Sequence, residues 1–234
     1  MAKKNQHRKK KNNPNAQQLT PIKYLMEKAA GLPCETWYIN EDWQTSGLAV
    51  IYGTRIMPSG NLICANYLVD IFCLGVKDTA WYFNISPSSY KESVRENYDG
   101  AGLKDIEINP NLAQNIIYGA VEYAESLGFS PHKDFNITEY LLSPADEIPF
   151  IEIPFGQNGQ PLYISGPFDN VRLILKKLEK AVGKGNFKFI LNTGLNEYGF
   201  DDWLSDDDEE DDDEDYDDDE EEYTDYEEVD SPDK

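Results

Sequence analysis

The formal charge of this chain is concentrated towards its ends, and that partition limits how much of it can fold. Residues 1–18 carry six Lys/Arg and no Asp/Glu, residues 19–200 carry 14 and 21, and residues 201–234 carry one and 23. The three pieces contribute +6, −7 and −22 to the net charge of −23. Neither end has the apolar periodicity that would offset ordering entropy, and like charges repel along each. The expectation is a basic disordered arm over 1–18, a globular domain over 19–195 and an acidic disordered tail over 196–234. The domain, at roughly 180 residues, is long enough for one hydrophobic core.

Cys34, Cys64 and Cys73 are odd in number and form no CxxC pair or metal-ligand spacing. A reduced, intracellular setting fits them. The opening residues MAKKNQHRKKKNNPN lead into no apolar segment, so they do not read as a secretory signal. No window approaches the ~20 apolar residues of a membrane span. A cytoplasmic protein without a membrane partner is expected.

Within 19–195 the punctuation is strong. Thr20-Pro21, Ser86-Pro87, Asn109-Pro110 and Ser130-Pro131 each pair a capping residue with a proline suited to the first helical position. The helix opened by Asn109-Pro110 carries the clearest apolar stripe: Leu112, Ile116, Ile117, Ala120, Val121, Ala124 and Leu127. Strands are expected over 34–39, 47–57, 62–73 and 79–85, as a four-strand meander with a turn at Pro58-Ser59-Gly60-Asn61. On this reading CLGVKD joins the third and fourth strands, and 98–105 is a loop. A second hairpin is expected where Phe150–Phe155 and Pro161–Ser165 flank Asn158-Gly159. A helix from Val171 to Val182 and a strand over 187–191 complete the domain. Strands cluster rather than alternate with helices, so the fold class is α+β: a single domain with a mainly antiparallel sheet packed by helices.

Three blocks resemble an uncharacterised bacterial protein family. The first runs from Trp43, Gly47 and Ala49 through Arg55 and Gly60 to Leu68-Val69-Asp70 and Cys73-Leu74-Gly75-Val76-Lys77-Asp78. The second holds Ala120, Tyr123-Ala124, Leu127-Gly128-Phe129, Pro131-His132 and Asp134; the third holds Gly159, Pro161, Ser165-Gly166-Pro167 and Asp169. The resemblance implies a stand-alone bacterial domain. The family carries no assigned activity, so no catalytic role transfers.

The chemistry-bearing residues gather in the stretch YLVDIFCLGVKD, Tyr67–Asp78. A carboxylate in so apolar a run is costly unless it is paired or hydrogen-bonded, so Asp70 requires a partner. Arg55 and Lys77 are the cationic candidates; a turn-binding carboxylate is the structural alternative. Cys73 is a nucleophile only if His132 lies near it, and packing is the commoner use of such a residue. Asp70, Lys77, Asp78 and His132 are the catalytic candidates. Asp70, Asp78, His132 and Asp134 would make a His/carboxylate metal site if their loops met. No cofactor is implied, and Gly183-Lys184-Gly185 lacks the phosphate-loop pattern. Trp37, Trp43, Trp81, Tyr82 and Phe83 suit a core better than a stacking surface, and a net −7 over the domain disfavours a phosphate-binding face.

Two functions follow as expectations. One is a cytoplasmic binding or regulatory protein that meets RNA or the ribosome through Lys3, Lys4, Arg8, Lys9, Lys10 and Lys11. The acidic tail would then act as an electrostatic modulator or a contact for a basic protein. The other is a hydrolase using Asp70, Lys77, Asp78 and His132, with or without a metal.

Overall fold

The computed structural model describes residues 19–191. The expected arm with its six cationic candidates, and the expected tail, lie outside the described residues.

Three of the four cap-then-proline signals open helices where they were expected to; Ser130-Pro131 does not, and the next helical turn begins only at Phe135. Thr20 Oγ1 accepts from the Lys23 N–H at the start of α1 (Pro21–Lys28). The chain then forms β1 (Trp37–Asn40), the single turn α2 (Trp43–Ser46), β2 (Leu48–Ile56), β3 (Leu62–Asp70) and β4 (Gly75–Ile85). These four strands are the expected antiparallel meander. Ser86 caps α3 (Pro87–Ala101). β5 (Asp105–Ile108) follows, then α4 (Pro110–Ser126), capped by Asn109. The chain continues through α5 (Phe135–Thr138), β6 (Leu162–Ile164), α6 (Val171–Val182) and β7 (Lys188–Ile190). The fold is α+β, with a five-stranded antiparallel sheet in the order β4-β3-β2-β1-β5.

Strand alternation splits the apolar residues between the two faces of this sheet. Trp37, Ile39, Ile51, Ile63, Ala65, Tyr67 and Val69 pack with Ala113, Ile116, Ile117 and Ala120 of α4 and Leu25 of α1. On the other face, Leu62 and Cys64 lie with Tyr90, Val94 and Tyr98 of α3. Each such large apolar side chain contributes about 1.5–3 kcal/mol by leaving water. The Tyr98 hydroxyl donates to the Val50 carbonyl at 2.6 Å, so its burial leaves no polar atom stranded.

Three expectations need correction. The loop expected over 98–105 is shorter, because α3 runs on to Ala101 and Asp105–Ile108 form β5, which pairs antiparallel with β1 from Trp37↔Ile108 to Asn40↔Asp105. Four residues of alternating D-I-E-I are too short to signal a strand without their partner. The second hairpin is absent. Asn158 and Gly159 do take the left-handed turn conformation, but only the Gln157↔Gln160 bridge forms. Residues 150–155 pair with no strand, and the start of the segment is held by Asn115 of α4 instead. Its Oδ1 accepts from the Ile151 N–H at 3.0 Å and its Nδ2 donates to the Pro149 carbonyl at 3.1 Å. Phe155 then stacks on Tyr123, with ring centroids 5.8 Å apart. β6 instead pairs parallel with β7 across α6, a βαβ unit.

The third correction concerns the connection between β3 and β4. Its turn is Ile71–Leu74, and Gly75-Val76-Lys77-Asp78 belongs to β4 rather than to a loop. Gly75 has φ +69°, and a Cβ there would stand 2.7 Å from Ala124 Cβ and 2.9 Å from the Ala120 carbonyl oxygen. Gly60, with φ +87°, has nothing within 4 Å. Gly75→Ala combines left-handed strain of ~1–2 kcal/mol with overpacking of ~1–3 kcal/mol. Gly60→Ala carries the first cost alone. Urea unfolding of the two variants should place Gly75→Ala well below Gly60→Ala in stability; equal losses would contradict this packing.

Candidate functional site

Asp70 closes β3 and holds the turn that follows it. Its Oδ1 accepts from the Phe72 N–H at 2.9 Å and from the Cys73 N–H at 3.0 Å. The residue is 8% exposed. Burial pushes its carboxyl above the ordinary value of 3.8, opposed by backbone donors at Phe72, Leu74 and Cys73 and by the charge of Lys77. This is the turn-binding alternative. Arg55 is not its partner: the buried guanidinium donates to the Leu141 carbonyl at 2.7 Å, the Leu32 carbonyl at 2.9 Å and Ser143 Oγ at 2.9 Å.

Lys77 pairs with Asp169, 92 residues further along the chain, at 3.4 Å. The Asp169 carboxylate also accepts from the Tyr163 hydroxyl at 3.1 Å and the Gly166 N–H at 2.7 Å. Burial first, and the Asp169 charge second, push the Tyr163 hydroxyl far above its ordinary range. The cluster clamps the Gly166–Asp169 loop onto β4. Asp169 was quoted only within the family-like blocks and given no role, because its partners are distant in sequence.

The remaining candidates do not assemble into a site. Asp78 is exposed and accepts from the Thr79 N–H at 2.8 Å. His132 approaches β4 through its backbone, its N–H donating to the Val76 carbonyl at 2.8 Å. Its ring faces Asp134, with Nδ1 to Oδ2 at 3.8 Å. Among the described residues, no three His, Cys, Asp or Glu side chains group so as to hold a metal ion. The proposed Asp70, Asp78, His132 and Asp134 quartet is therefore not brought together. Cys73 is fully buried, and its thiol is pushed well above its ordinary value by burial and by Asp70, the reverse of nucleophile activation.

The feature missed at the level of sequence is the charge partition inside the fold. Residues 19–170 carry eight Lys/Arg against 19 Asp/Glu, while 171–191 carry six against one. The net −7 over 19–200 hides this island. Leu175 and Leu178 are the fully buried positions of α6. Lys176, Lys177 and Lys180 fall on the opposite, exposed side, at one- and four-residue spacings. Lys177 Nζ lies 5.8 Å from the Phe129 ring centroid, and Lys188 is exposed on β7. Just before α6, Phe168 is 97% exposed. The signal was present as Lys176, Lys177 and Lys180 within one helical segment, with Lys184 just beyond its end. A separate groove of ≈ 460 Å³ lies beside β1 and β5 and includes Glu35, Glu107 and the half-buried Cys34. Its two carboxylates do not suit a phosphate.

Comparison with known proteins gave no matching family model, no matching curated protein and no matching solved structure.

The raised Asp70 value fixes the sign of a pH effect. The folded chain keeps this proton over a range where the unfolded chain has released it. The stabilisation is full below 3.8 and is lost as pH rises through the raised value. Wild type should therefore lose stability relative to Asp70→Asn as pH rises from 3.8 through the raised value, read as urea midpoints. A relative gain would contradict this placement of the carboxyl. Asp70→Ala, which strands the two turn N–H groups, should cost ~1–3 kcal/mol for each one left unpaired.

Proposed function

We propose that this is a cytoplasmic, RNA-binding regulatory protein that associates with RNA or the ribosome electrostatically. The observation that carries the reading is the segregation of positive charge into two places. One is the stretch holding Lys3, Lys4, Arg8, Lys9, Lys10 and Lys11; the other is α6–β7, a basic island on an otherwise acidic domain. Lysines on a helix face opposite a buried apolar face can meet a phosphate backbone without disturbing the core.

The hydrolase reading has less support. Asp70 serves a turn, Lys77 a clamp, Asp78 its neighbouring N–H, and the His132 ring faces Asp134. The family-like blocks also find structural employment around the same turn. In the RNA-binding reading, residues 201–234, with 23 carboxylates and one lysine, compete with RNA for the basic groups and set the threshold of binding.

The test is the salt dependence of binding to a fluorescent single-stranded RNA. Each phosphate contact on a single strand contributes about 0.7 to the slope of log affinity against log salt. Deleting residues 1–18 should weaken binding and flatten that slope by up to ~4. Deleting residues 201–234 should tighten binding. Unchanged affinity and slope after the arm deletion would overturn the role of the arm.

A further inference from the structure

We infer that α6 and the loop before it form a single-strand-specific RNA surface, on which Phe168 stacks a base and Lys176, Lys180 and Lys188 follow the phosphates. The inference rests on the RNA-binding reading above and adds the strand state of the ligand and the residue that selects it.

The residues that follow Phe168 are anchored. Its neighbour Asp169 is anchored by Lys77, Tyr163 and the Gly166 N–H. The next residue, Asn170, caps α6 by accepting from the Leu173 N–H at 3.2 Å. Within this Gly166–Asn170 loop, closed by the Gly166 N–H on Asp169, the Phe168 ring stands 97% exposed. Scattered apolar residues on a surface are ordinary, but this one precedes by three residues the helix that carries Lys176, Lys177 and Lys180. Leu173, 49% exposed in the first turn of α6, extends the apolar spot towards Lys176 and Lys177. An aromatic face beside a line of cations is the composition that binds single strands, through base stacking and backbone attraction together.

Competing occupants fit less well. A membrane surface would also accept Phe168 and Leu173 beside the lysines, but Leu175 and Leu178 are buried in the protein, so α6 keeps no apolar face of its own to lay into lipid. An RNA duplex offers a deep major groove that side chains cannot read and keeps its bases stacked away from Phe168. An acidic peptide would satisfy the lysines but would give the ring nothing to stack on. Lys176, Lys180 and Lys188 form no ion pair among the described residues, whereas Lys77 and Lys104 do.

The experiment uses the full chain and fluorescence anisotropy with three probes: a 20-mer single-stranded RNA, a 20-base-pair RNA duplex and a 20-residue poly-glutamate peptide. Phe168→Ala should weaken single-strand binding by about tenfold, since a stacked base contributes ~1–3 kcal/mol. The salt slope should not change, and the duplex affinity should stay within about twofold. Phe168→Trp should retain the affinity. The Lys176→Gln/Lys180→Gln pair should flatten the single-strand slope by ~1.4, at about 0.7 per contact. Because these side chains are exposed, folding is not at risk, and circular dichroism checks it. Equal loss on both RNAs, or no loss in Phe168→Ala, would overturn the stacking surface while leaving electrostatic RNA binding standing. Poly-glutamate bound through the same lysines more tightly than either RNA would make the stripe a contact for acidic protein and overturn the inference. No binding of either RNA by wild type would overturn both this inference and the functional reading beneath it.

Discussion

The Asp70 carboxylate is the interaction on which most of the remaining structure depends. By taking the N–H groups of Phe72 and Cys73 it folds the chain back at Ile71–Leu74 and so sets the register of β4 on β3. That turn is a meeting point for distant segments. The Ile71 N–H donates to the Gly47 carbonyl at 2.9 Å, and the Ile71 carbonyl accepts from the Gly156 N–H at 3.0 Å. The Phe72 carbonyl accepts from the Leu162 N–H, which brings β6 to the sheet. The Phe72 ring occupies the space where a side chain at position 47 would stand. A buried carboxylate is costly in isolation, but here it satisfies two backbone N–H groups that the turn would otherwise leave unpaired.

From that turn the organisation passes outward along β4. Lys77, seven residues after Asp70, reaches across to Asp169, and Asp169 fixes the loop before α6. The ion pair is part-buried and supplemented by Tyr163 and the Gly166 N–H, so its value lies in geometry more than in net stability. Arg55 does similar work on the other side, tying β2 to Leu32, Leu141 and Ser143. The groups that looked like chemistry in the sequence therefore act mainly as fasteners. Lys176, Lys180 and Lys188, by contrast, stand exposed on α6 and β7 and form no ion pair among the described residues.

Much of the fold was legible because it rests on local physics. Capping residues followed by proline start helices by satisfying backbone groups within one turn, and α1, α3 and α4 begin where those pairs stand. The meander was legible because two-residue alternation and the Pro58–Asn61 turn are local signals too. What was not legible depended on partners far along the chain. Residues 150–155 have strand alternation but meet Asn115 instead of a strand. β5 is recognisable only once β1 lies beside it. Gly75 reads as a loop residue, although its missing side chain is needed for α4 to lie against the start of β4. In the candidate site, the demand of Asp70 for a partner was readable but the partner's identity was not, because backbone N–H groups carry no sequence label. The lysine stripe of α6 was readable and was hidden by averaging charge over the whole domain.

The central claim is that the fasteners at Asp70, Lys77 and Asp169 present a basic, aromatic-tipped surface to RNA. Lysine acetylation with and without bound single-stranded RNA, read residue by residue by mass spectrometry, tests it most directly. The account predicts protection of Lys176, Lys180 and Lys188, and unchanged reactivity at Lys91 on the exposed side of α3. Unchanged reactivity at all three α6–β7 lysines, under conditions where the RNA is bound, would contradict it.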